Sequence, residues 1–583
     1  MARRVASLVV LLLVAATVWV SARTTEDDAY VSRLDPALRL RAAQPRGVSR
    51  VIIETIDGRP AAGAIKAVAG KPGRHLRSVG QVALVPDVAL RQLASHPGIR
   101  SVSLDRRVQG TLERTAASTG AAWVRDKLGF DGSGVGVAII DSGVANWHDD
   151  LGADRVTHFA DFVTYLPQPH DEYGHGTHVA GIIAGNGYDS AGARRGIAPA
   201  ASLIVLKVLD ATGDGYISNV IAAIDYVIEQ RARLNIRVLN LSVAAGVYES
   251  YDTDPFTLAA KRAVEAGIVV VTSAGNLGRS DTGQAQYGGI TAPGNAPWVL
   301  TVGASNHQRT VSRADDVVAP FSSRGPTNID RAMKPDVVAP GVGIESLAAA
   351  GSTIYNANAK ARLAGTIDTA TPPYLAMTGT SMAAPVVAGT IALMLEANPA
   401  LTPNLVKAIV QYTAEHRARV HVTAQGGGFL NARGAVQLAL ALRDANAAAD
   451  GVRATAASKD LDPTPWSRHI LWGNERVRGG VLNATANAWR ADVAWGAATT
   501  PDGDQVSWGM SADGISPWRP SGDDPVSFDE ELAFVAWNPV TDAPDAGRDL
   551  LNAITPWRAM AAVFPPERKR KQPGAAGTEG YRP

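Results

Sequence analysis

Short apolar runs, each ending in glycine or a polar residue, alternate with helix-like segments through the middle of this 583-residue chain. The runs over residues 134–140 and 267–274 have the length of a buried strand, and the apolar stretch over residues 386–396 has the length of a helix. Strands that are apolar throughout are typical of parallel sheets covered on both faces. The pattern therefore predicts an α/β domain with a mainly parallel sheet.

A different pattern precedes this domain. Short strands are predicted over residues 51–53, 82–85 and 99–104 and a helix over residues 87–96, which together form a small α+β unit. Residues 45–110 carry 11 Lys or Arg and 4 Asp or Glu, a net charge of +7. Residues 1–44 carry +2 and the whole chain +1, which leaves −8 from Thr111 onward. The opposite charges fit an electrostatically matched pair, and a free-standing basic domain fits equally well.

The first 22 residues have the features of an export signal. Arg3 and Arg4 precede an apolar stretch that ends in Val20-Ser21-Ala22, a small-residue pattern that suits cleavage. A retained membrane anchor is the alternative, because about 18 apolar residues can just span a bilayer. Both interpretations place the rest of the chain outside the cytoplasm. Residues 23–44 are then predicted to be a linker.

Composition narrows the class of protein. Apolar residues make up 46% and charged residues 19%, which excludes long disorder and coiled coil as descriptions of the whole chain. The balanced charge gives no indication of a nucleic-acid partner. Cysteine is absent, which excludes a cysteine nucleophile, a thiolate zinc site and a disulfide framework.

Candidate chemistry lies at the ends of the predicted elements: Asp141 after one strand, Asn276 after another, and Ser381 before the long helix. His175 and His178 open a further helix, but the His-Glu-x-x-His zinc pattern is absent. Taken singly, each of these residues is more often a turn cap, a helix cap or a structural histidine. Together they supply the carboxylate, base, oxyanion donor and nucleophile of an acyl-transfer enzyme.

Four segments carry a family resemblance. Residues 141–143, 175–181, 273–276 and 379–385 resemble the signature segments of subtilisin-like serine proteases, in the same order, and the similarity extends over residues 111–442. The resemblance implies a three-layer αβα domain over residues 111–445 and a secreted serine endopeptidase that works through an acyl-enzyme. Ser381 would be the nucleophile, His175 the base and Asp141 its orienting carboxylate, with Asn276 donating to the oxyanion.

The resemblance also implies how a substrate binds. An extended peptide would add as a strand to two edges, formed by Gly213 and Gly215 and by the segment Ser242, Val243 and Ala244. The family usually has a glycine pair where this chain has Ala244 and Ala245, so a narrower pocket is expected. No cofactor is implied, and structural calcium, with Asp149 and Asp150 as candidate ligands, stays open.

Residues 45–110 resemble the inhibitory propeptide of the family, a ferredoxin-like unit that the enzyme removes itself. Its partner would be the catalytic domain, and self-cleavage is expected between Val108 and Ala122. Besides its own propeptide, the implied partners are protein or peptide substrates.

Residues 446–583 are predicted to comprise an Ala/Asp-rich linker, a Trp-Gly repeat and a disordered tail. The repeat occurs at Trp472-Gly473, Trp495-Gly496 and Trp508-Gly509. These tryptophans would form either the cores of short hairpins or an exposed surface that binds carbohydrate, peptide or cell-envelope material. Two further hypotheses stay open for the whole protein: a catalytically idle envelope-binding protein, and a peptide ligase or transferase.

Overall fold

The computed structural model describes residues 32–45, 47–76, 80–104, 111–280, 283–447, 465–478, 482–508 and 515–517. The chain divides into two compact units, Met1–Val108 and Gln109–Pro583. The export signal over residues 1–22, most of the linker that follows residue 446, and the tail beyond residue 517 lie outside the described residues. Those three assignments therefore stay predictions.

The first unit is a four-stranded antiparallel sheet with helices packed on it, in the strand order β2-β3-β1-β4. Along β1 buried residues alternate with more exposed ones, so one face of the sheet is turned to a core that includes Leu38, Val51 and Leu90. The elements are β1 Val48–Thr55, β2 Lys71–Leu76, β3 Gly80–Pro86, β4 Ile99–Leu104, α1 Pro36–Ala43, α2 Ala62–Ala67 and α3 Leu90–Ser95.

Residues 33–43 correct the linker predicted over residues 23–44, because they are part of this unit. The Asp35 side chain caps α1 by accepting the Leu38 N–H at 2.8 Å, and proline occupies the first turn. Leu34 and Leu38, four residues apart, are both buried in the core, and Leu34 pairs with Val102 of β4. Any linker in this region therefore ends before residue 33.

The second unit is built on a mainly parallel sheet, which confirms the predicted fold class. Its strand order is β11-β10-β9-β8-β5-β7-β6, with β12 also paired to β10, and the β10–β11 pair is antiparallel. The strands are β5 Gly136–Asp141, β6 Val156–Asp161, β7 Ser202–Lys207, β8 Ile236–Leu241, β9 Val269–Ser273, β10 Leu300–Asn306, β11 Val317–Val318 and β12 Val337–Pro340. A small antiparallel sheet comprises β13 Ile344–Leu347, β14 Arg362–Leu363 and β15 Tyr374–Met377.

Helices flank the parallel sheet. The α-helices of five or more residues are α4 Thr111–Ser118, α5 His175–Ala184, α6 Ile217–Gln230, α7 Pro255–Glu265, α8 Thr353–Ala357, α9 Thr380–Ala397, α10 Pro403–Thr413 and α11 Ala432–Ala447. Helices α5 and α9 pack against each other, and α6 packs against α7. Gly181 lets α5 approach β13 closely, because a Cβ at this position would collide with Leu347.

Helix α9 is the one helix among the described residues that is long and apolar enough to cross a membrane. It lies inside the protein, with 94% of its residues buried. Its apolar character is therefore that of a core helix.

The Trp-Gly segment continues the core of the second unit. Trp472, Trp489 and Trp495 are only 1%, 2% and 3% exposed, and the ring of Trp472 contacts both others. Gly473 and Gly496 meet back to back, so that a Cβ on Gly473 would lie 3.0 Å from Gly496 Cα. Strands β16 His469–Trp472, β17 Glu475–Arg478 and β18 Ile515–Pro517 form an antiparallel sheet here. The buried rings favour the hairpin-core interpretation and exclude these three tryptophans from an exposed binding surface.

Candidate active site

Asp141 ends the central strand β5, between β7 and β8, where the carboxyl ends of parallel strands form a site. It is fully buried, and its carboxylate accepts the Ser142 N–H at 2.7 Å. The chain then turns at Gly143, whose φ is 118°, and a Cβ there would collide with the His170 carbonyl oxygen. The turn therefore requires glycine directly beside the carboxylate.

His175 is the first residue of α5 and contacts Asp141. Its Nδ1 lies 2.7 and 2.9 Å from the two carboxylate oxygens, and both side chains are fully buried. Gly176 allows this approach, because a Cβ there would collide with the Gly143 carbonyl oxygen. Burial disfavours the imidazolium, but the charge and hydrogen bond of Asp141, with the charge of Asp171, raise the pKa of His175 above its ordinary value of 6.5. Its Nε2 is buried and has no hydrogen-bond partner among the described residues.

His178 lies one turn further along α5, and its hydrogen-bond partners and pKa differ from those of His175. Its Nε2 donates to the carbonyl oxygens of Ile344 and Leu375 at 3.1 and 3.0 Å. Burial, followed by the charge of His175, lowers the pKa of His178 to about 3. This histidine is therefore neutral and structural, and of the pair only His175 faces a carboxylate.

Ser381 lies in the first turn of α9, which begins at Thr380, before the apolar stretch that starts at residue 386. Pro385 consequently stands in the second turn, where its missing N–H leaves the Ser381 carbonyl without a helical partner. That carbonyl accepts the Ser242 hydroxyl at 3.1 Å, and the Ser381 hydroxyl donates to the Ser242 carbonyl at 3.3 Å. The two serines are thereby held together by reciprocal hydrogen bonds.

Asn276 follows β9 and reaches the start of the same helix. Its Oδ1 accepts from both Thr380 N and Thr380 Oγ1, each at 3.0 Å. Because a backbone N–H can only donate, the oxygen must face Thr380, which fixes the orientation of the Asn276 amide. The structure thus brings Asn276 and Ser381 to the start of α9, and Asp141 and His175 to the start of α5, which packs against α9. His175 Nε2 and the Ser381 hydroxyl are not hydrogen-bonded to each other.

The two predicted substrate edges, at Gly213 and Gly215 and at Ser242–Ala244, differ in their surroundings. Gly213, with φ of 83°, lies against the Tyr173 ring, and Gly215 pairs with Leu209. On the other edge Val243 is only 1% exposed and packs in the core, so it has only backbone groups to offer a peptide. Ala244 is also buried, and the next residue, Ala245, pairs with Ala292 through hydrogen bonds of 3.0 and 2.9 Å.

A network around Asp171 escaped the motif-based prediction. Its carboxylate accepts from Ser142 Oγ at 2.8 Å, Gly174 N at 2.7 Å, and the N–H and hydroxyl of Thr177 at 2.8 and 2.6 Å. The network ties the turn after β5 to the first turn of α5. An acidic residue shortly before a predicted helix is a known N-terminal signal and would have pointed to Asp171.

A cluster of His148, Asp150 and Asp189 was tested as a calcium site. Both Asp150 oxygens already accept hydrogen bonds, one from Asp189 N and one from the Tyr374 hydroxyl, each at 2.7 Å. His148 Nδ1 accepts the Asp150 N–H at 3.2 Å. Calcium prefers six to eight oxygen ligands. Within the cluster only Asp189 Oδ1 is buried without a hydrogen-bond partner. These three residues therefore offer too few free oxygens to hold calcium by themselves, and Asp149, the other candidate ligand, is exposed.

The chain was compared with known proteins. The model of the subtilase family, peptidase S8, matches residues 132–436. Serine protease AprX of Bacillus subtilis (strain 168) is 38% identical over 355 residues, which cover 60% of this chain and 77% of that protein. Subtilisin E of the same organism is 32% identical over 374 residues, 63% of this chain and 84% of that protein. A solved S41 psychrophilic protease is 28% identical and covers 52% of this chain and 92% of its own, with a TM-score of 0.41.

Proposed function

The chain belongs to the subtilase family and is a serine-type endopeptidase, and from that premise we propose that Asp141, His175 and Ser381 are its catalytic triad. The observation that carries the proposal is the buried contact of His175 Nδ1 with the Asp141 carboxylate, at 2.7 and 2.9 Å. This contact fixes the tautomer with the proton on Nδ1 and leaves Nε2 as the basic atom. As a subtilase, the enzyme requires no organic cofactor.

Ser381 acts as the nucleophile. Its hydroxyl leaves the Ser242 carbonyl, gives its proton to His175 Nε2 and attacks the peptide carbonyl carbon, which forms a tetrahedral oxyanion. The imidazolium is stabilised by the buried Asp141 carboxylate. It then protonates the leaving amine, and the acyl-enzyme remains on Ser381 Oγ. A water molecule, deprotonated by His175, hydrolyses that ester and restores the serine.

Asn276 and the N–H of Ser381 stabilise the oxyanion. The first N–H groups of a helix have no helical acceptor, so the start of α9 offers a donor and a partial positive charge. The Asn276 amide, fixed by Thr380, adds a second donor of defined orientation.

Substitution of the triad tests this assignment. Ser381→Ala is expected to lower kcat for a peptide substrate on the order of 10⁶-fold, as removal of the serine does in subtilisin. Ser133→Ala, at an exposed serine outside the site, is the matched control and should retain full activity. A folded Ser381→Ala protein with wild-type activity would refute the triad.

Aminolysis products with added amine nucleophiles would reveal ligase activity of the same acyl-enzyme.

Protein or peptide substrates lie in extended form between the edge at Gly213 and Gly215 and the edge at Ser242, Val243 and Ala244. Reciprocal hydrogen bonds join Ser242 to Ser381, which supports this assignment. Because Val243 is turned into the core, the expected narrowing of the pocket rests on the methyl groups of Ala244 and Ala245, which stand where the family usually has a glycine pair. Cleavage profiling with a peptide library should therefore show a preference for small residues before the scissile bond.

The first unit acts as an inhibitory propeptide, and its removal matures the enzyme. Ala116 and Ala121 are buried in the core of the second unit, which restricts cleavage within the interval Val108–Ala122 to the residues before Thr115. Purified Ser381→Ala protein should keep its first unit, whereas wild type should lose it. If Ser381→Ala protein matures to the same N-terminus in isolation, self-processing is wrong.

The enzyme acts outside the cytoplasm, on the basis of its predicted export signal over residues 1–22. N-terminal sequencing of the Ser381→Ala precursor, which keeps its first unit, from culture medium and from membranes distinguishes the two forms of this proposal. Secreted protein without residues 1–22 supports a cleaved signal. Membrane-bound protein that keeps them supports a retained anchor.

A further inference from the structure

Lys207 is a buried lysine at the end of an apolar strand. It is the last residue of β7, it is 1% exposed, and it pairs in register with Asp141 on the neighbouring β5. The next residue, Val208, donates its N–H to the Asp141 carbonyl at 2.8 Å. A lysine in this environment needs partners for its ammonium group, because an unpaired charge is costly to bury.

All three ammonium donors of Lys207 are used, and each goes to a different segment. Nζ donates to the carbonyl oxygens of Ser142 and Leu209 at 2.7 and 2.8 Å, and lies 2.8 Å from a carboxylate oxygen of Glu172. An ammonium group has three donors, so no capacity is left over.

The three segments are those that carry the proposed site. Ser142 directly follows Asp141, and Glu172 precedes His175 by three residues. Leu209 pairs with Gly215 of the first substrate edge. One cation thus connects the aspartate turn, the histidine loop and the substrate edge.

We propose that Lys207 is a positioning residue of the active site, which acts with Glu172 to hold the turn of Asp141 and the loop of His175 in register. The inference rests on the proposed triad. Lys207 touches no reacting atom in this account, and it works through the backbone of Ser142 and the side chain of Glu172. Displacement of a reacting group by about 1 Å can lower the rate on the order of 10²-fold. Contacts that fix the positions of Asp141 and His175 can therefore affect kcat even if they stabilise the fold only slightly.

The Glu172 side chain is 46% exposed but stays ionised. Partial burial would raise the pKa of Glu172, but the hydrogen bond and charge of Lys207, with the charge of His170, lower it below its ordinary value of 4.5. Because Glu172 is half exposed, it can be replaced with little risk to folding. Replacement of Glu172 is therefore a clearer test of the positioning role than replacement of Lys207.

The experiment compares kcat per titrated active serine, KM and Tm in four variants. Glu172→Ala should lower kcat about tenfold at unchanged KM and Tm, and Glu172→Gln, whose amide oxygen still accepts from Lys207, should restore most of it. Lys207→Met should lower kcat at least as much. Lys407→Met is the matched control. It removes another buried lysine, whose partners Asp336 and Val299 lie outside the proposed site, so Tm should fall while kcat per titrated site is kept.

The outcomes separate this inference from the proposed function. If the wild-type protein does not react with the active-serine titrant at Ser381, the proposed triad is refuted. If wild type reacts and Glu172→Ala has wild-type kcat, the positioning role is refuted, whether or not Lys207→Met folds. Loss of Tm in Lys207→Met at unchanged kcat per titrated site would also refute it, because a merely structural lysine behaves in that way.

Discussion

The two histidines of α5 show how strongly surroundings decide chemistry at the scale of a residue. Both are fully buried and lie three residues apart. His175 contacts a carboxylate, whereas His178 contacts only carbonyl oxygens, so the pKa of the first is raised and that of the second falls to about 3. Burial alone would have made both neutral.

The pH dependence of kcat/KM tests this difference. The proposed mechanism needs neutral His175, so activity should be lost as pH falls through the pKa of that residue. Because that pKa is raised, the acid limb should have its midpoint above pH 6.5. His178→Gln, which keeps a donor for the two carbonyl oxygens, should leave the midpoint unchanged. A wild-type midpoint below pH 6.5 would contradict the account.

Local sequence was enough to single out the candidate residues of the site, whose catalytic roles stay predictions. Asp141, His175, Asn276 and Ser381 lie in short segments whose glycines leave room for close backbone approach, and such local constraints are visible in sequence. Lys207 was missed because two of its three partners, Glu172 and Ser142, lie 35 and 65 residues away in the chain. Its one sequence signal is a lysine at the end of a wholly apolar run, which implies a buried charge that must be paired.

At the scale of an element, α9 begins earlier than its apolar pattern. The pattern starts at Val386, whereas the first turn contains Ser381 and the second contains Pro385. A proline there is unfavourable for the helix, since it removes one hydrogen bond. The removed bond frees the Ser381 carbonyl for Ser242. Periodicity could not predict this start, because the first turn is fixed by contacts with Asn276 and Ser242.

Pro385→Ala tests the role of the missing hydrogen bond. Alanine supplies an N–H that can donate to the Ser381 carbonyl within the helix, so the Ser242 hydroxyl loses its acceptor. We expect kcat/KM to fall about tenfold while the free energy of unfolding is unchanged or higher. Pro403→Ala, at the first turn of α10 where no N–H is needed, is the control and should have wild-type kcat/KM. Wild-type kcat/KM in Pro385→Ala would show that the Ser242 contact is dispensable.

At the scale of the whole molecule, the Trp-Gly segment and α10 form one packed region. Asn404 Nδ2 donates to the carbonyl oxygens of Ala488, Arg490 and Val493 at 3.0, 3.2 and 2.8 Å. The Trp495 ring lies over the Lys407 ammonium at 4.6 Å. The repeat was visible in the sequence, but the helix against which it packs was not. A Trp-Gly pair by itself does not determine which helix its ring will contact.

Removal of this segment should destabilise the catalytic unit. A chain truncated after Ala447 exposes the apolar surface and buried polar groups that the tryptophans cover, so we expect a large loss of Tm or failure to accumulate as folded protein. A chain truncated after Pro517 keeps the packed residues and is the control. Equal Tm for the two chains, measured by calorimetry, would mean that the segment is an independent module.

Labelling with a fluorophosphonate, followed by peptide mass spectrometry, tests the central claim most directly. The account predicts a single covalent adduct on Ser381 of the matured protein, absent in Ser381→Ala and formed far more slowly in His175→Ala. Folded, matured wild-type protein that forms no adduct, or forms it on another residue, would contradict the claim that Ser381 is the nucleophile of this enzyme.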